Sequence, residues 1–208
     1  MTTALITISV VLANLLGAGM AYPQASRLVR TGRTDGVSGV WAGVSTSMNV
    51  WWLAYGLAAG LWGLVPVSAV AAVLYVVIVG ALVRAHGRAV LGPVALGALG
   101  LGLAPLPFLL LGGWALAGVA VGLCYGLQLV PAVAASLRTR DLSGVAAATW
   151  LMAWTESAIW LGYGWARADA ALVAGGIAGT SMATIIIVRL ASTGHRPFEL
   201  RRPALRAS

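Results

Sequence analysis

The chain has 208 residues, 60% of them hydrophobic and 9% charged, with a mean hydropathy of +0.93. A soluble domain carries roughly a quarter charged residues, so lipid is the solvent for most of this sequence. The net charge of +8 does not point to nucleic acid, because the basic residues lie between apolar runs rather than on one polar face, and one cysteine (Cys124) with two histidines excludes a disulfide framework and offers no metal-ligand cluster.

A membrane-spanning helix needs about 20 mostly apolar residues. Polar loops and Gly/Pro punctuation cut the chain into seven such runs, predicted over 4–24, 38–59, 65–83, 91–111, 114–134, 143–165 and 170–190. The runs are too long for barrel strands and do not alternate in polarity; helices satisfy their own backbone in lipid. No basic region precedes the first run, so it reads as a retained helix rather than a secretory signal. The fourth carries Pro93, Pro105, Pro107 and four glycines and is expected to bend or break. Asp35 with Ser38, and Asp141 with Ser143, precede the second and sixth runs as helix-start signals.

Seven runs leave eight flanking segments, both termini included, on alternate sides, and the arginines choose between the two sets of ends. One alternate set of ends holds Arg27, Arg30, Arg33, Arg84, Arg88, Arg138, Arg140, Arg189, Arg196, Arg201, Arg202 and Arg206; the other holds only Arg167. Positive loops stay in the cytoplasm. The expected fold is therefore an all-α integral membrane protein of seven transmembrane helices, N-terminus outside and C-terminus cytoplasmic. Trp62, Trp114 and Trp165 then fall at the outer ends, where an aromatic belt belongs. The basic tail, 192–208, is expected to be disordered and drawn to anionic lipid.

The sequence also repeats itself. "RTDGVSG" (33–39) returns as "RTRDLSG" (138–144), Pro23 as Pro131, and "WLAYG" (52–56) as "WLGYG" (160–164). The proline and tryptophan matches share an offset of 108 residues; the loop match has 105. Residues 1–88 and 113–191 thus read as two copies of a three-helix unit, with 89–112 as a linker helix. An odd number of crossings per unit would invert the second copy; the linker restores it, giving parallel repeats about an axis along the membrane normal.

Polar residues inside apolar helices tend to face the bundle interior. Asn49 lies one turn before Trp52, and Glu156 one turn before Trp160. Spacings of three and four put each pair on one helical face. An aromatic face stacks on a sugar or flat metabolite while the polar head takes hydroxyls or amines. Glu156 is the sharpest single feature: an acid in an apolar helix binds a cationic group or carries a proton. Asn14 and Gln128 are further polar candidates.

"YPQASRLVRTGRTDGVSG" followed by "WWLAYG" resembles the PQ-loop repeat of SWEET and SemiSWEET transporters, shared with cystinosin-like carriers; the resemblance covers residues 4–190. It implies a facilitator moving a small solute by alternating access between two three-helix bundles. It also implies a hinge at Pro23 and Pro131, a gate residue at Gln24, and substrate contacts at Trp52 and Trp160. Proline suits a hinge, because it removes a backbone hydrogen bond. The second unit has Pro131-Ala132, so a glutamine gate is asymmetric. The family's sugar sites pair the tryptophan with an asparagine in the next helix; here those places offer Ser68 and Gly176, with Thr180 nearby.

With this resemblance the expectation is a transporter of a small polar solute in the plasma (inner) membrane of a bacterium, a sugar ahead of a proton-coupled amino acid or other amine carried through Glu156. The alternative of another class is a non-transporting receptor or sorting protein of the same fold. No nucleophile–base pair or phosphate loop points to an enzyme, and no cofactor is implied. The expected partners are the solute, the bilayer and protons; one chain suffices for a path, and a homo-oligomer is compatible with it.

Overall fold

The computed structural model describes residues 3–34, 37–139, 142 and 145–194. The expectations for Asp35, Asp141, Ser143, Arg140 and the tail from 195 onward lie outside those residues. Among the described residues every regular element is helical.

Helix α1 (Thr3–Thr31) has 29 residues. At 1.5 Å per residue it is about 43 Å long, more than the roughly 30 Å hydrocarbon core. The sequence places its end at Pro23-Gln24; the structure does not. Pro23 sits inside the helix, exposed, and the residues after it keep helical bonding. The true stop is Gly32, whose φ of +64° favours glycine and whose amide donates to the Leu28 carbonyl at 2.9 Å. Helix α5 (Leu106–Arg138) likewise runs on past Pro131. Its last turn is finished by Arg189, which donates to the carbonyls of Ser136 (3.2 Å) and Thr139 (3.1 Å). A proline disturbs the turn before it, and a helix survives where that turn is wet or otherwise supported.

Helix α2 (Gly39–Ala58) starts as expected, with the Ser38 hydroxyl accepting from the Trp41 amide at 3.2 Å. Helix α3 (Val65–His86) has Pro66 in its first turn. A 3-10 turn (Gly87–Val90) leads into α4 (Leu91–Gly100). The expected fourth span is broken: turns occupy 101–105, and α5 is itself interrupted at Gly112 and Gly113, where Gly113 has φ +62°. The interruption falls between the predicted fourth and fifth runs. Helices α6 (Ala147–Ala166) and α7 (Ala170–Ser192) complete the chain.

Helix α3 packs on both α1 and α2, and α7 packs on both α5 and α6, so each triplet places its third helix between the other two. The triplets meet through α1 against α6 and α2 against α5, while α4 lies along α2. That last contact is backbone to backbone: a Cβ at Gly97 would collide with the Val40 carbonyl, and one at Gly43 with the Val94 carbonyl.

By length and composition four stretches are able to cross a membrane: Thr3–Thr31, Val65–Gly100, Leu106–Arg138 and Ala170–Ser192. Leu15, Leu96, Leu110 and Leu111 are among their exposed side chains, an exterior that suits lipid and would be an aggregation surface in water. Helices α2 and α6 have 20 residues each but are more polar, through Ser45, Thr46, Ser47 and Asn49 in one and Thr149, Thr155, Glu156 and Ser157 in the other.

Replacing Gly97 by leucine should separate α4 from α2 and destabilise the protein by about 3 kcal/mol, read as a lower aggregation temperature of the detergent-solubilised protein. Gly92→Ala, where an added Cβ meets nothing within 4 Å, should leave that temperature near the wild-type value.

Candidate functional site

A cavity of about 750 Å³ lies between the triplets, lined from α1, α2, α3, α5, α6 and α7. Trp52, Asn49, Ser68, Glu156 and Trp160 all line it, as do Gln24, Pro131, Gln128 and Gly176. The sequence therefore assembles one site from five candidates spread over more than 100 residues. Pro23 does not reach it, and neither does Asn14, which donates instead to the carbonyls of Val10 (2.8 Å) and Gly63 (2.9 Å) and ties α1 to the α2–α3 turn. Thr180 is also outside the lining.

The two tryptophans are held alike. Trp52 meets Tyr55 edge to face at 6.2 Å and 74°, and Trp160 meets Tyr163 at 5.9 Å and 74°, so "WLAYG" and "WLGYG" repeat in geometry as well as in letters. Each ring also reaches across to the other triplet. A Cβ at Gly175 of α7 would lie 3.1 Å from the Trp52 ring, and Trp160 packs in one cluster with Val67 of α3. Trp160 is buried and Trp52 half-buried; neither is an interfacial anchor. Trp62 and Trp165, at 70% and 78% exposure, do have the exposure of anchors.

Glu156 is half-buried on the seam between α6 and α1. Its Oε1 accepts from the Trp160 indole at 3.2 Å. Gly17 makes room for it, since a Cβ there would lie 2.6 Å from Glu156 Oε1. At the offset of 108 the counterpart of Glu156 is Met48, and that of Asn49 is Ser157; the acid belongs to one half only. Asn49 donates through Nδ2 to the Ser45 carbonyl (2.8 Å), and Gln128 through Nε2 to the Ser45 hydroxyl (3.2 Å).

Three groups in and around this site carry little or no sequence signal. Tyr75 stands beside Ser45, and Tyr125 beside Ser157; both line the cavity. Each is a lone polar tip in an apolar run. The third is Asp169. Its Oδ1 accepts from the Leu172 amide (2.9 Å), capping α7, while its Oδ2 accepts from the Tyr55 hydroxyl (2.7 Å). An aspartate just ahead of an apolar run is a cap signal; its tie to a tyrosine 114 residues earlier is tertiary.

The cavity's two ends differ. At one end Tyr55, Leu61, Leu64, Val67, Trp160, Ala171 and Leu172 form a single buried cluster with Ala13, drawn from both triplets. At the other end the apolar clusters are separate, one built on Ala25, Leu28, Ile78 and Leu82, the other on Val133, Leu142, Ile186 and Leu190. There the cavity lining extends to Gln24, Ser38, Trp41, Pro131, Thr149 and Trp150. No family model matches the chain, and no curated protein matches it either.

Tyr55→Phe should cost about 1 kcal/mol, the usual net worth of one hydrogen bond. Asp169→Ala should cost about 2 kcal/mol, because it removes the helix cap as well. In the double variant the losses should fall short of additive, measured by thermal unfolding in detergent.

Proposed function

We propose that the chain is a SWEET/PQ-loop-type transporter of seven transmembrane helices in the bacterial plasma membrane. It moves a small polar solute, as a facilitator, by alternating access between two parallel three-helix repeats. In this reading α4 and the first turns of α5 form the linker span, and the tail lies in the cytoplasm. The observation that carries the reading is the cavity between two alike-packed triplets, sealed across both at one end and unsealed between their separate clusters at the other. One barrier at a time is what alternating access requires.

The arginines support an orientation. Arg27, Arg30, Arg84, Arg88, Arg138 and Arg189 stand at the unsealed end and Arg167 at the sealed one. With positive loops inside, the conformation is open to the cytoplasm and closed outside by the cluster and the Tyr55–Asp169 bond. Pro131 lines the unsealed end, where a bend of α5 would change the width of the mouth; Pro23 stands at the corresponding place in α1. Gln24 is the polar lining group of that mouth on the α1 side.

Trp52 and Trp160 support a sugar, whose apolar face stacks on indoles. Glu156 supports a second reading, a proton-coupled amine carrier, because among the described residues it is the sole carboxylate in the cavity lining.

Uptake by purified protein in liposomes, with a sugar panel and an amine panel at two pH values, tests the reading. Saturable uptake of one class is expected, and Pro131→Ala should slow it. Absence of all uptake together with tight binding of a protein partner would favour the receptor alternative. If Glu156 carries the proton, an inward proton gradient should raise accumulation, and Glu156→Gln should abolish that dependence while leaving the purified protein monodisperse.

A further inference from the structure

The charge inventory of the cavity is one-sided. Among the described residues its lining holds a single formally charged side chain, Glu156, and no arginine or histidine. Among the described residues the Glu156 carboxylate has one hydrogen bond, from the Trp160 indole, and no ion pair. A carboxylate held away from water without an ion partner is costly and is answered by a bound proton or by a cation; a cationic ligand that displaces the proton supplies that charge. The position is built rather than incidental, because glycine at 17 leaves the space the carboxylate occupies.

The neutral polar groups point the same way. Gln128 has its amide nitrogen tied to the Ser45 hydroxyl, while its Oε1 is buried with no partner among the described residues. Asn49 has its nitrogen tied to the Ser45 carbonyl. Both amides spend a donor on the same residue and keep an oxygen in reserve, so the site asks its ligand for donors. The rings of Trp52, Tyr75, Tyr125 and Trp160 line the same cavity, and aromatic faces attract cations more strongly where water is excluded.

Resting on the reading of this cavity as a transported-solute site, we infer that its ligand is an organic monocation without a carboxylate, an amine or ammonium compound, rather than a neutral sugar or a zwitterionic amino acid. A sugar leaves the Glu156 charge unanswered. A zwitterion brings a second carboxylate into a lining whose described residues include no cationic side chain to receive it.

The test uses the full chain in neutral-lipid vesicles with four probes: ethanolamine, tetramethylammonium, glucose and glycine. Saturable uptake of either cation above glucose and glycine is expected, falling at least about tenfold in Glu156→Gln, the size of one lost charge contact, and partly retained in Glu156→Asp. Quenching of intrinsic tryptophan fluorescence by tetramethylammonium, competed by ethanolamine and not by glucose, gives the same answer in the wild-type protein if the variants fail to fold. Cation binding without uptake supports the inference and overturns the transport reading. Glucose or glycine uptake that matches or exceeds that of both cations overturns the inference and keeps the transport reading, as does undiminished cation uptake by Glu156→Gln. Neither binding nor uptake of any probe overturns both.

Discussion

The buried cluster that includes Tyr55, Leu64, Val67, Trp160 and Leu172 joins the two triplets where the last turn of α2, the first turn of α3 and the start of α7 come together. Inside hydrocarbon, apolar side chains gain nothing by leaving lipid for one another, and helices associate by close packing and hydrogen bonds. At helix ends the alternative surroundings are water, so burying these side chains recovers the ordinary hydrophobic gain of about 1.5–3 kcal/mol each. The Tyr55–Asp169 bond lies at the same place and fixes the start of α7 against the end of α2. At the far end each triplet keeps its apolar side chains to itself. In this structure the cavity is therefore closed at the end where the triplets share a cluster and unsealed where their clusters are separate.

The polar groups of the site explain an oddity of composition. Helices α2 and α6 are less apolar than their partners because they carry Asn49, Ser45, Glu156 and Ser157, and these side chains face the interior of the bundle rather than its exposed surface. Small residues on the neighbouring helices make the arrangement fit: Gly175 under Trp52, Gly179 beside Ser157, Gly17 beside Glu156. Cavity polarity and helix-packing geometry are thus coupled: Trp52, Glu156 and Ser157 each have a glycine across from them.

Much of this was legible from local chemistry. The starts of α2, α3 and α7 follow from Ser38, Pro66 and the turn before Ala170, and the helical faces of Asn49–Trp52 and Glu156–Trp160 follow from spacing alone. The ends of α1 and α5 were misread because Pro23 and Pro131 look like stops, whereas Gly32 and the Arg189 contacts do the stopping. The break of the expected fourth span was legible in its prolines; the positive φ of Gly113 was not. Tyr75, Tyr125 and the Asp169–Tyr55 tie depend on which helices meet, and no local pattern encodes that.

Gly17 and Glu156 sit on helices of different halves and need each other for space. At the positions 108 residues on from Gly17 and 108 residues before Glu156, the chain has Tyr125 and Met48. If the halves descend from one duplicated unit, a symmetric dimer of that ancestor would have presented the same residue at both seams, either two acids or none. A single acid requires two halves that differ in sequence, and one chain carrying both halves lets the site be chemically lopsided.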